Sequence, residues 1–142
     1  MSQSAPADST ARIVKSDAQW RAQLTPEQFY ILRQHGTERP GTSPLNREKR
    51  AGLFTCAACG ETLFASDAKF ESGTGWPSFD KPVSGAAVSE RSDRSIFMTR
   101  TEVRCARCDG HLGHVFSDGP RETTGLRYCI NGAALDFKPG DT

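Results

Sequence analysis

Four of the five cysteines in this 142-residue sequence form two Cys-x-x-Cys units, Cys56-Ala57-Ala58-Cys59 and Cys105-Ala106-Arg107-Cys108. Two residues between thiolates let one tight turn aim both sulfurs at the same ion. Two such turns complete a tetrahedral sulfur cage, the arrangement that structural zinc prefers. The 45 residues between the units exceed simple zinc-ribbon spacing, so each knuckle is expected on a different hairpin, with the metal clipping the domain shut. Gly60 and Gly110 follow the two units, where a knuckle needs backbone free of Cβ clashes. A closed cage of four thiolates has no open position, so one Zn2+ held by Cys56, Cys59, Cys105 and Cys108 is expected to be structural. A thioredoxin-like redox pair is disfavoured by the duplication and by the lack of a βαβ pattern. An iron–sulfur cluster would use the same four ligands and stands as the alternative.

Cys129 is left over. A lone cysteine is often a small inert hydrophobe, but Arg127-Tyr128-Cys129-Ile130-Asn131 alternates as a strand does. That puts Arg127, Cys129 and Asn131 on one face. A guanidinium and an amide beside a thiol favour the thiolate, the form that attacks. Two of the three histidines fall in His111-Leu112-Gly113-His114-Val115-Phe116. Two imidazoles are too few ligands for a second complete zinc site, and beside a thiolate they suit proton donation. Ser72-Gly73-Thr74-Gly75-Trp76-Pro77-Ser78-Phe79 reads as a loop presenting an aromatic face, with Trp76 either core or the wall of a pocket for an apolar group such as a methyl sulfide.

The elements that must position these groups change character along the chain. Residues 1–15 are expected to form a flexible tail, since Met1 to Thr10 are small and polar, and 16–142 a single domain. Ser16 to Gly36 reads as helical. Thr25-Pro26-Glu27-Gln28 gives a capping box with Pro at the first helical position, and Gly36 stands where a left-handed C-cap would be needed. Trp20, Leu24, Phe29, Ile31 and Leu32 supply its packing surface. Thr37 to Arg50 reads as an irregular connection. Beyond it come strand-like pieces at Leu53–Thr55, Thr62–Phe64, Ala87–Ser89, Ser95–Arg104, Leu112–Phe116, Arg127–Ile130 and Leu135–Phe137, with no helix of ordinary length. The mixed run Glu90–Arg94 reads as an exposed turn. The sum is a short helical arm on an antiparallel β domain.

Composition narrows the function classes. With 18 basic and 17 acidic residues the formal net charge is +1, which argues against a strong grip on nucleic acid or an anionic membrane. No apolar run approaches the roughly 20 residues that span a bilayer, and the N-terminus lacks a secretory h-region. A cytoplasmic, monomeric protein is expected, in whose reducing surroundings the cysteines bind metal or do chemistry.

Taken jointly and in this order from about Thr25 to Phe137, these segments, with Asp118-Gly119-Pro120, resemble the B-type methionine sulfoxide reductases. The resemblance implies a mainly β fold of two antiparallel sheets (the β-tent type), with zinc at the end away from the chemistry. It implies that Trp76, with Phe116, binds the substrate's methyl side while Cys129 attacks the sulfoxide sulfur. His111 and His114, supported by Asp118 and Asn131, would protonate or hydrogen-bond the oxygen, and Arg127 would help hold Cys129 as thiolate. The R epimer of oxidised protein methionine would be reduced, leaving a Cys129 sulfenic acid.

Two positions depart from the family pattern. Thr74 stands where many members carry a resolving cysteine, so thioredoxin, glutathione or another small thiol is expected to reduce the sulfenic acid directly. Gly132 stands where Ser commonly follows the Asn. Two rival readings are a zinc-ribbon binding module contacting partners through Arg104 and Arg107, and a small-molecule thiol enzyme such as a formaldehyde-adduct scavenger. Against the first, Arg104 and Arg107 are expected to pair with Glu102 and Asp109.

Overall fold

The computed structural model describes residues 13–94 and 99–140, with the backbone alone at 93, 94 and 99. Most of the expected tail, and the start of the strand expected from Ser95, lie outside the described residues. Two capping boxes organise the arm. Ser16 with Gln19 opens α1 (Asp17–Gln23), and Thr25 with Gln28 opens α2 (Pro26–Gln34), where Pro26 sits at a position whose missing N–H costs nothing. The expected helical stretch is thus interrupted: Leu24 is extended and the second cap restarts the chain. His35, not Gly36, takes the left-handed conformation, at φ 57°. A bond from its ring to Glu102 holds it there. Gly36 serves instead to pass the Tyr30 ring, which a Cβ would meet at 2.3 Å.

After Arg50 the chain alternates short strands with turns, as its apolar/polar alternation and frequent Gly, Pro and Asp require. Its strands are β1 (Gly52–Cys56), β2 (Thr62–Ala65), β3 (Lys69–Phe70), β4 (Ser78–Phe79), β5 (Val88–Arg94), β6 (Thr99–Cys105), β7 (His111–Phe116), β8 (Arg127–Ile130) and β9 (Leu135–Pro139). They form two antiparallel sheets, ordered β2-β1-β9 and β3-β4-β8-β7-β6-β5. Among the described residues the only helical pieces past Arg50 are 3-10 turns at Ser66–Ala68 and Gly132–Ala134. The mainly β fold with short N-terminal helices is therefore as expected.

Two local readings change. Glu90–Arg94 belongs to edge strand β5, which among the described residues pairs with β6 alone, and charged Glu90 and Arg91 discourage further strand addition there. The Ser78–Phe79 end of the expected loop is β4, which joins β8 to β3.

The core lies between the sheets. Phe54 and Phe64 of the smaller sheet meet Phe79 and Tyr128 of the larger, with Phe64 stacked on Phe79 at 4.3 Å between centroids. The apolar face of the arm (Trp20, Phe29, Ile31, Leu32) is buried in the same cluster, and α2 packs on β7 and the Gly132–Ala134 turn. No helix among the described residues is long and apolar enough to cross a membrane.

Candidate active site and metal centre

Each Cys-x-x-Cys unit closes a strand end. Cys56 is the last residue of β1 and Cys105 the last of β6, and both chains then turn in the same way. Gly60 N–H returns to Cys56 O at 2.8 Å, as Asp109 N–H does to Cys105 O. Gly60 (φ 83°) and Asp109 (φ 64°) are the left-handed residues of the two knuckles. The role expected of Gly110 thus falls to Asp109, an Asx residue that tolerates this conformation. Gly110 packs instead against Leu32 and the Cys108 sulfur.

The four sulfurs converge, with Cys56 and Cys108 at 3.7 Å and Cys59 and Cys105 at 3.6 Å. Sulfurs on a tetrahedral ion with bonds of about 2.3 Å stand about 3.8 Å apart, so the cage fits a metal ion. All four donor atoms lie within 4.8 Å of one another. Hydrogen bonding with Cys105, then with Cys108 and Cys59, and burial push the Cys56 thiol well up, whereas bonds within the same cluster pull Cys59 and Cys105 down. The arm is tied to both knuckles: Gln23 Nε2 donates to Ala58 O (2.8 Å), Arg33 Nη1 to Cys108 O (2.9 Å) and Ile13 N–H to Arg107 O (2.7 Å). Arg104 pairs with Glu102 and Asp109 as expected, whereas Arg107 pairs with Glu61.

Away from the knuckles, the free thiol of half-buried Cys129 faces a pocket of about 110 Å³ lined by Thr37, Trp76, Arg100, His114, Phe116 and Asn131. Burial along β8 alternates, with Arg127 and Cys129 on the open face and Tyr128 and Ile130 in the core. The register brings His114 of β7 opposite Cys129. Gly113 permits this pairing, because a Cβ there would lie 2.0 Å from Cys129 O. Trp76 is a pocket wall, its indole N–H fixed on Glu38 O at 3.0 Å. Thr74 Oγ1 stands 4.0 Å from Cys129 Sγ and belongs to a hydroxyl cluster with Ser72 and Ser78.

The remaining expected site residues flank this pocket. Arg127 grips both oxygens of Asp118 (2.9 and 3.2 Å) and lies over the Phe116 ring at 4.4 Å. His111 is buried behind His114, its Nδ1 2.6 Å from Glu102 Oε2 and its ring 5.5 Å from that of His114. Burial first, and then the neighbouring His114 and His35, lower the basicity of His111 against the Glu102 carboxylate. Asn131 spends its amide on the backbone, accepting from Glu38 N–H and donating to Leu112 O, each at 2.9 Å.

The Cys129 thiol itself is pushed above its ordinary value. Burial dominates and the Glu38 charge adds to it, while the Thr74 hydroxyl and Arg127 pull it down. Arg127 therefore favours the thiolate, as expected, without outweighing burial.

Residues 24–139 match the family model for the SelR domain. The chain belongs to the SelR-domain family. It is similar to the "Peptide methionine sulfoxide reductase MsrB" of Agrobacterium fabrum, 59% identical over 90% of this chain and 94% of that protein. The proteins of the same name from Leifsonia xyli and Methanosarcina mazei are each 57% identical, over 92% of this chain and 94% of theirs. Among solved structures the Mis18 'Yippee-like' domain shares the fold, with a TM-score of 0.51 and 19% identity over 66% of this chain and all of that one.

The residue of this SelR-domain site that sequence reasoning missed is Glu38. It is 5% exposed, and its carboxylate accepts from the Gly132 and Ala133 N–H groups at 2.9 Å each. Its N–H holds Asn131 and its carbonyl holds Trp76, so one residue fixes both sides of the pocket. Burial raises its pKa against those two backbone bonds. No sequence signal marked it, because a lone Glu in a polar, Pro- and Gly-containing stretch reads as solvated. Thr37, at the start of the same stretch, and Arg100, within the strand expected over Ser95–Arg104, were also missed.

Proposed function

We propose that this chain is a thiol-dependent peptide methionine-R-sulfoxide reductase of oxidative damage repair, with Cys129 as the nucleophile. What carries the reading is one juxtaposition: a half-buried free thiol in a small pocket walled by Trp76 and Phe116, with an imidazole across the strand pair. The aromatic walls suit the substrate's methyl and thioether side. The pocket's two unlike flanks, aromatic on one side and polar on the other, support selection of one epimer.

The Cys129 sulfur attacks the sulfoxide sulfur while the sulfoxide oxygen takes up a proton. His114, on the pocket wall, donates it, and His111 supports His114 from behind. The oxygen then passes from the methionine sulfur to the Cys129 sulfur as the bond between the two sulfurs breaks, which releases methionine and leaves Cys129 as a sulfenic acid. One external thiol then displaces water to give a mixed disulfide, and a second releases Cys129 as the thiol, so two thiols are oxidised per turnover. Thioredoxin or a small thiol serves as this reductant, because the other four cysteines are spent on the metal cage. Asn131 is a positioning residue, and Arg127, clamped by Asp118, lowers the cost of the thiolate.

The resident metal is proposed to be zinc, held by Cys56, Cys59, Cys105 and Cys108, and it supplies structural clamping. Pairing of Arg104 and Arg107 with carboxylates favours the enzyme reading over a binding module.

The test is consumption of the separated R and S epimers of a methionine sulfoxide peptide, with dithiothreitol as reductant. Wild type should consume only the R epimer and Cys129→Ser neither. Activity retained by Cys129→Ser, or no turnover by folded, metal-loaded wild type, overturns the proposal.

A further inference from the structure

The rings of the chain's three histidines follow one another, and two of them, His35 and His111, converge on one carboxylate, a grouping the reaction above does not need in full. His35 Nδ1 and His111 Nδ1 stand 3.0 and 2.6 Å from the same oxygen, Glu102 Oε2. One donor atom from each of the three residues lies within 4.8 Å of those of the other two. We infer that His35, Glu102 and His111 form a second metal site, for a divalent late transition ion such as Zn2+ or Ni2+.

The donor chemistry fits. Two imidazole nitrogens and one carboxylate oxygen suit these ions, and three protein ligands leave room for water. Such ligands stand about 3.3 Å apart around an ion bonded at about 2.0–2.1 Å, so the two Glu102 contacts need to open by only tenths of an ångström. The ion would replace the protons that those contacts now share, turning two hydrogen bonds into coordination bonds.

The site is built before any ion arrives. His35 is aimed by its left-handed backbone at the end of α2, a conformation that non-glycine residues seldom adopt. Glu102 is held from its other oxygen by Arg104 Nε at 3.0 Å. Burial of His111 fixes its ring with Nδ1 turned to Glu102.

Access is open as well. The His35 side chain is 55% exposed, and a cavity of about 450 Å³ containing all three residues borders the Cys129 pocket at Thr37, Arg100 and His114. Arg100 and Arg104 on the cavity wall oppose a cation. The site should therefore bind much more weakly than the four-thiolate cage and take its ion only once that cage is full.

The experiment uses untagged full-length protein whose cysteine cage carries one zinc, titrated with Zn2+ and with Ni2+ by calorimetry. Wild type should take up one further ion, and His35→Asn, which tolerates the left-handed backbone while losing the imidazole, should bind it at least tenfold more weakly. Ni2+ should broaden the imidazole resonances of His35 and His111 in wild type. No uptake by wild type, equal uptake by His35→Asn, or broadening confined to other residues overturns the site. None of these readouts depends on sulfoxide turnover.

Discussion

Thr74 Oγ1 lies 4.0 Å from Cys129 Sγ, on the loop that also carries Trp76 into the pocket. A sulfur at position 74 would therefore face the sulfur proposed to become oxidised. Thr74→Cys should trap an intramolecular 74–129 disulfide after one equivalent of sulfoxide, seen as loss of two mass units in the linked peptide. Wild type under the same conditions should yield a sulfenic acid and no internal disulfide to Cys129. An internal disulfide in wild type would contradict reduction by an external thiol.

The pH dependence of Cys129 follows from its environment. Burial holds the thiol above its ordinary range, so alkylation by iodoacetamide in the absence of substrate should climb with pH through a midpoint higher than that of an exposed cysteine. Thr74 and Arg127 act in the opposite sense. Thr74→Val and Arg127→Met should each move the midpoint further up. A midpoint at or below that of a free cysteine would mean that the Arg127 charge prevails over burial.

Glu38 is the tie across the pocket. Glu38→Ala strips the acceptor from two backbone N–H groups, which should cost about 2 kcal/mol in denaturant melts. It should also raise KM more than it lowers kcat, since Trp76 and Asn131 lose a rigid anchor but Cys129 stays in place. Glu38→Gln keeps one acceptor oxygen and should lose less of both.

Gly132 answers to Ser43. A Cβ at 132 would lie 2.0 Å from Ser43 Oγ and 2.4 Å from its Cβ, so the space a side chain would take after Asn131 is filled here from the connecting segment. Gly132→Ser alone should destabilise the fold by roughly 1–3 kcal/mol. Adding Ser43→Gly should recover most of that loss. Equal stability of the single and double variants would show that Ser43 moves aside freely.

Features set by short-range rules were legible in the sequence. Capping at Thr25, alternation around Cys129 and the paired knuckles each depend on neighbours within a few positions, and each is present. Long-range bonding was not legible. His35 takes the left-handed conformation in place of Gly36 because Glu102, 67 residues away, holds its ring. Glu38 enters the site because positions 131–133 offer it donors 93 to 95 residues on. Glu90–Arg94 forms a strand because β6 supplies the pairing, whatever its charges suggest. Only in three dimensions did the expected catalytic set divide into a pocket, a buried histidine behind it and an Arg127–Asp118 clamp beside it.

The hydrogen bonds from Ile13, Gln23 and Arg33 to carbonyls of the two knuckles have a consequence for how the molecule fails. The same arm runs on from α2 through His35, which lines the neighbouring cavity, to Thr37 and Glu38, which line and brace the Cys129 pocket. Ejecting the ion would slacken the turns on which the arm is moored, and the arm would carry that slack to Trp76 and Asn131. The four-cysteine cage and the Cys129 pocket should thus loosen together. Strong oxidants that attack the cage should silence the repair function without ever touching Cys129.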